Sequence, residues 1–199
     1  MNKKILPAEF YLRNTKQVAR DLIGKKLVHR VNGQRLSGLI VETEAYLGLK
    51  DPAAHSFGGR RTNRVSTMYL QGGHAYVYFI YGMHYCFNVV TRSIQHPEAV
   101  LIRAIEPLES IDEMKKLRGP RILLTRDLAN GPAKLCQALR IDKSCDKMSL
   151  QGPELFIEDV PLHKKFQIKA DSRIGIDYAG EAAHWPLRFF IKNHPMVSA

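Results

Sequence analysis

Carboxylates stand directly against an apolar run in the segment LIVETEAYLG, residues 39–48. On a strand, side chains alternate, so Glu42, Glu44 and Tyr46 would share one face while Thr43 and Ala45 take the other. Carboxylates next to Leu39, Ile40 and Val41 are costly to bury unless they are paired or used. The segment is therefore either a solvated strand face or a reactive one. Glu42 and Glu44 would stand ~7 Å apart, a separation that also suits an inverting O-glycosidase. Any i, i+2 pair on a strand gives that distance, so it discriminates little. Further on, His55 lies in the loop sequence Asp51-Pro-Ala-Ala-His-Ser56. Alone, it reads as an ordinary surface histidine. Together, Tyr46 and His55 flank a glycine-bearing turn, and their flat rings could close on a third flat object. A nucleobase flipped out of a duplex is one such object.

Further candidates follow. In AYVYFIYGMHYCFNVVT (75–91), Tyr76 and Tyr78 would point one way and Val77, Phe79 and Tyr81 the other. The turn itself carries Tyr81, Gly82 and Met83, where Asn, Asp or Ser would normally surround the glycine. Apolar bulk at a hairpin tip either folds back on its own core or contacts something else, and in a basic protein its use would be a wedge between base pairs. Asn88 is a polar residue between Phe87 and Val89, suited to bonding or blocking a base edge. Arg103, inside VLIRAIE, predicts a carboxylate partner, with Glu44 the obvious one. Lys134 falls in the first turn of a helix opened by Gly131-Pro132, where the helix dipole disfavours a cation unless an anion such as a DNA phosphate is present. A solvated lysine is the plainer alternative.

The elements that must position these residues are legible in outline. A helix opens near residue 16 with Val18, Leu22 and Ile23 on one face and stops at Gly24. Strands around Leu27–Val28 and Leu39–Val41 meet at an Asn32-Gly33 turn. Residues 48–74, with several glycines and with Lys50, Arg60, Arg61 and Arg64, read as a long functional loop. A hairpin over 75–91, a strand over 99–105, helices over 108–117 and 132–141, and strand-like patches at 154–158, 166–169 and 187–192 complete the reading. The pattern predicts one mixed domain with a largely antiparallel sheet.

Composition narrows the class. The 199 residues carry 30 Lys and Arg against 19 Asp and Glu, a net charge of +11, which makes polyanions the natural partners. With 45% hydrophobic residues, a fibre, a membrane protein and a disordered tail are excluded. Cys86, Cys136 and Cys145 show neither CxxC spacing nor an even count, so no disulfide framework or zinc site is expected. The first residues are too poor in apolar side chains for a signal peptide, and a reducing cytoplasm is the expected address.

The segments VETEAYLG, DPAAHSFGGRRT, HAYVYFIYGMHYCFNVV, VLIRAIEPLE, NGPAKLCQAL and PLRFF occur together and in order between about residues 39 and 190. In this they resemble the alkyladenine (3-methyladenine) DNA glycosylase family of base-excision repair. The resemblance implies an α+β fold: a single domain over 1–199 with a curved antiparallel sheet, surrounding helices and a protruding β-hairpin. It implies Glu44 as the base that activates water, helped by Arg103 and the backbone carbonyl of Ile174. Tyr46 and His55 would sandwich the damaged base, Tyr78 would close the pocket, and Asn88 would crowd the exocyclic amine of guanine. Tyr81 would fill the gap left in the duplex, with Met83, Lys134, Arg60 and Arg61 as further DNA contacts. The implied partner is double-stranded DNA with damaged purines, met by a monomer needing no metal or organic cofactor. The family often has Arg-Asn after the Thr of GGRRT, whereas here Arg64 precedes Val65. A formyltransferase C-terminal domain shares the general fold without the pocket, and the set Glu44, Tyr46, His55 and Tyr78 separates the two. The open alternatives are a nucleosidase or O-glycosidase using Glu42 with Glu44, and a non-catalytic binder of DNA or RNA, whose binding would be salt-sensitive.

Overall fold

The computed structural model describes residues 4–120, 124–161 and 165–198. Residues 1–3, part of the opening judged against a signal peptide, lie outside it. In chain order come β1 (Lys4–Ile5), α1 (Ala8–Tyr11), α2 (Thr15–Asp21), β2 (Lys26–Val31) and β3 (Gln34–Tyr46). Then follow β4 (Ala75–Ile80), β5 (His84–Thr91), β6 (Glu98–Glu109), α3 (Ile111–Arg118), α4 (Pro132–Ala138), β7 (Leu155–Asp159), β8 (Ile168–Asp171) and β9 (Arg188–Ile191). The strands form one curled antiparallel sheet in the order β1-β7-β2-β3-β6-β5-β4. β3 is the branch point: its first half pairs with β2, its second half with β9, and its other edge with β6. The fold is α+β, as the sequence predicts.

Local chemistry explains the elements. Asn14 caps α2, its side chain accepting from the Lys16 N–H at 3.0 Å. Asn32 and Gly33 both take positive φ (51° and 73°), the two-residue turn that matches the twist of the β2–β3 hairpin. The 3-10 turns among residues 48–69 give the long loop its shape without adding strands. At Gly48, φ is +70° and a Cβ would come 2.9 Å from the Pro97 carbonyl oxygen, so the chain can leave β3 this sharply only with glycine.

Register then separates core from site. Ala75, Val89, Val100 and Ala45 lie opposite one another across β4, β5, β6 and β3, and all four belong to the main core. Val18, Ala19 and Leu22, together with Leu135, Cys136 and Leu139, join that core. One position over, Tyr76, Asn88, Leu101, Glu44 and Arg188 form the adjacent row, facing the opposite way. Two irregular segments cover this second face, each with its own apolar cluster. Val65 and Met68 pack with Tyr76, Val90 and Ala99, while Ala53 packs with Ile176, Ala179 and Ala182. Between Ile40 and Thr43 the β3–β6 register slips twice, leaving Val41 and Arg103 without Cα partners. Such irregularities re-aim side chains, and here Arg103 comes to bear on β3's carboxylates.

Candidate active site

Glu44 and Glu42 are both fully buried in the middle of the sheet. Arg103 bridges them, with Nη1 3.2 Å from Glu44 Oε1 and Nε 3.5 Å from Glu42 Oε1. From there their surroundings diverge. Glu44 Oε1 accepts from the Ile174 N–H at 2.8 Å, and Oε2 from the Tyr46 hydroxyl at 2.8 Å. Glu42 is taken up by Arg188 at 2.9 Å, by the Ser198 N–H at 2.9 Å and by the Ser198 hydroxyl. Burial raises the pKa of Glu44, opposed chiefly by Arg103 and the Ile174 N–H.

A cavity of about 360 Å³ opens over this face. Tyr46, His55, Tyr76, Tyr78, Asn88, Arg103 and Ile174 line it, and Tyr81 and Tyr178 stand at its mouth. Glu44 lies one layer behind the lining, but its three partners Tyr46, Arg103 and Ile174 are all part of it. Glu42 shares only Arg103 with the lining, since its other partners Arg188 and Ser198 do not reach the cavity. The spacing that suggested a working pair of carboxylates therefore yields one carboxylate at the cavity and one locked into the scaffold.

The remaining candidates fall into two groups. His55 meets the Tyr76 hydroxyl through Nδ1 at 2.8 Å and the Tyr78 ring edge-on at 4.6 Å. Burial, and then Arg64 and Arg60, lower its pKa to about 4, so its ring is neutral at physiological pH. Among the described ring contacts His55 does not touch Tyr46, so the two line the same cavity with space between them. The Asn88 carboxamide donates to the Tyr76 carbonyl at 3.2 Å, which fixes its orientation toward the cavity. Ile174 meets Glu44 through its N–H, whereas the resemblance assigned a part to its carbonyl.

The second group lies outside the cavity or at its rim. Tyr81 is 83% exposed and Met83 69%, so the hairpin tip does not fold back on its own core. Tyr81 takes φ of +53°, uncommon for a bulky residue, and this breaks the strand alternation and turns it to the cavity mouth. Arg60 and Arg61 are exposed, and the Arg61 guanidinium lies 4.3 Å over the Tyr69 ring. Lys134 Nζ donates to Asn130 Oδ1 at 2.8 Å, so the first-turn lysine finds its partner within its own chain. Its neighbours Pro132 and Ala133 line the cavity and Lys134 does not.

Sequence reasoning missed what fastens the two covering segments. Arg173 makes a bidentate pair with Asp51, at 2.6 and 2.9 Å, with no side-chain exposure on either residue. Asp51 also accepts from the Leu47 and Ala53 N–H groups, and Arg173 donates to the Ala45 carbonyl at 3.0 Å. The same guanidinium lies 4.7 Å over the Tyr46 ring. Asp51-Pro52 advertised a turn, but nothing in the sequence linked it to a residue 122 positions away. Tyr76 was also missed as a site residue, although its parity with Tyr78 places both on one strand face.

Fold and cavity thus define a basic α+β protein that keeps one carboxylate dry behind an aromatic pocket. Residues 9–195 match the profile of the methylpurine-DNA glycosylase family. The chain is 50% identical over 200 residues to a Bacillus cytotoxicus protein named "Putative 3-methyladenine DNA glycosylase", covering 96% of this chain and 98% of that one. Proteins of the same name from Bacillus cereus (strain AH820) and Bacillus anthracis (strain CDC 684) match with the same identity and coverage. The chain belongs to the methylpurine-DNA glycosylase family.

Asp51→Asn should destabilise the protein by about 3–5 kcal/mol, because it leaves a buried guanidinium without its counter-charge. A fall in the urea midpoint at unchanged m-value is the expected reading, and an unchanged midpoint would show that the pair holds nothing in place.

Proposed function

We propose that this chain is a monofunctional DNA glycosylase that flips alkylated or deaminated purines out of double-stranded DNA and hydrolyses their N-glycosidic bond. Residues 1–199 would act as one catalytic domain, working as a monomer on DNA in the cytoplasm. The observation that carries this reading is Glu44, buried behind an aromatic cavity whose lining includes all three of its hydrogen-bonding or ionic partners.

In this reading a damaged base enters the cavity between Tyr46 and His55, with Tyr78 at its edge. Asn88, oriented by the Tyr76 carbonyl, crowds the exocyclic amine of a normal guanine. Tyr81 enters the duplex in place of the flipped nucleotide, and Met83, Arg60 and Arg61 meet the DNA around it. Lys134 would join them by exchanging its bond to Asn130 for a phosphate. Glu44 Oε2 keeps a free lone pair after accepting from Tyr46, so it has the capacity to take the proton of a water held beside Arg103. As the bond between the base and C1′ breaks, its electron pair leaves with the base. The water oxygen bonds to C1′, and the water's proton passes to Glu44.

Among the described residues no lysine lines the cavity, which supports water over an amine as the nucleophile and an abasic site as the product. Cationic bases such as 3-methyladenine and 7-methylguanine leave as neutral molecules and need no proton. Hypoxanthine is neutral and does. Glu42, consumed by Arg188 and Ser198, offers no second carboxylate for an O-glycosidase.

Glu44→Gln should retain binding to damaged DNA while excision falls by at least ~100-fold, the scale of a lost general base. Single-turnover release at near-native rate would refute the role. Glu44 acts ionised, so excision of 7-methylguanine should rise with pH through a midpoint above the ordinary carboxylate range and then level off. Excision of hypoxanthine should rise similarly and fall again at high pH, where the base is no longer protonated. Tyr81→Ser should weaken flipping in duplex DNA rather than the chemistry; unchanged rate and affinity on duplex substrate would count against the wedge.

A further inference from the structure

Several arginines surround the site, and three of them have their charge answered by carboxylates. Arg103 faces Glu42 and Glu44, Arg173 is bidentate on Asp51, and Arg188 meets Glu42 and Asp171. Arg64 differs from these three. Like Arg60 and Arg61 it is exposed, and among the described residues no carboxylate lies within ion-pair distance of it, while its side chain also bears on Tyr76. Its guanidinium carbon stands 5.0 Å over the Tyr78 ring. Tyr78 lines the cavity and Arg64 does not, so the cation stands outside the lining, against a ring that forms part of it.

We propose that Arg64 is a specificity-determining residue that disfavours positive charge on the bound base and so helps move that charge onto the sugar as the glycosidic bond breaks. The proposal rests on the glycosylase reading and adds to it a sorting of substrates by charge. When a 7-methylguanine nucleotide is cut, both electrons of the bond go to the base, which leaves neutral. C1′ takes up the positive charge until the water oxygen bonds to it, and the proton released passes to Glu44 and then to solvent. Charge therefore moves away from the ring backed by Arg64 and toward a carboxylate. An interaction that penalises the bound cation and relaxes in the transition state raises the rate while weakening ground-state binding. A neutral base escapes the penalty on binding.

Three observations support the direction. His55, on the cavity wall, has its proton affinity lowered by Arg64 and Arg60 after burial itself, so the field reaches the cavity. Tyr78 already carries one cation over its ring, so it offers less attraction to a second one brought near it. Tyr46 is backed in the same way by Arg173, but there Asp51 supplies the compensating charge. A base across the Tyr78 ring would lie ~8 Å from the Arg64 charge, where a partly solvated pair shifts an equilibrium about three- to tenfold.

The test uses duplexes carrying 7-methylguanine, a cation, or hypoxanthine, a neutral base, each also prepared as the 2′-fluoro nucleotide, which resists cleavage and permits equilibrium binding. Arg64→Gln should bind the cationic lesion about three- to tenfold better relative to the neutral one than the wild type does. It should also release 7-methylguanine more slowly by a similar factor, and Arg64→Lys should restore both. If Arg64→Gln weakens binding to both lesions and to undamaged duplex by one common factor, Arg64 is a phosphate contact and the proposal is overturned. If the wild type releases neither base, the glycosylase reading itself fails and this proposal with it.

Discussion

An ionisable carboxylate without solvent contact survives only where hydrogen bonds and counter-charge replace water, and the architecture around Glu44 follows from that requirement. Its three partners come from different parts of the chain: Tyr46 from the end of the same strand, Arg103 from the neighbouring strand β6, and the Ile174 N–H from a distant irregular segment. Each is held by something further out. Tyr46 is backed by Arg173, Arg173 is clamped by Asp51, and Arg103 is shared with Glu42, which in turn takes Arg188 and Ser198. The charges alternate outward from the centre, so that no carboxylate in the series lacks a cation. Desolvation still prevails at Glu44 itself, whose pKa is raised despite Arg103. That balance leaves a carboxylate readier to accept a proton than one in water.

Much of this frame was legible in the sequence because it depends on short-range rules. Alternation along β3 put Glu42, Glu44 and Tyr46 on one face, Asn32-Gly33 marked its hairpin, and the aromatic runs around Gly82 marked the second. These features follow from the strand period and from glycine and asparagine at positive φ, both local properties. The apolar and aromatic bulk at Tyr81 and Met83 signalled contact because it breaks turn chemistry, and both residues are indeed exposed.

What escaped the sequence is long-range. Glu42 and Glu44 look alike in a one-dimensional reading, and only the arrival of Arg188 and Ser198 on one of them makes them unequal. Asp51 with Arg173, and Arg64 over Tyr78, each involve a loop whose path no periodicity encodes. The bond from Lys134 to Asn130, one turn earlier, is likewise invisible to the dipole argument, which treats the helix as isolated. The double register slip that delivers Arg103 to the carboxylates left no mark in the apolar sequence around it.

The central claim is that this carboxylate and cavity together remove a purine from DNA by hydrolysis. It is tested most directly by incubating the protein with methylated double-stranded DNA, chromatographing the supernatant and counting abasic sites in the duplex. The account predicts free 3-methyladenine or 7-methylguanine, one abasic site for each base released and no accompanying strand break. Retained methylpurines with salt-sensitive DNA binding intact would contradict it, and would leave a binding protein in which Glu44 serves only the fold.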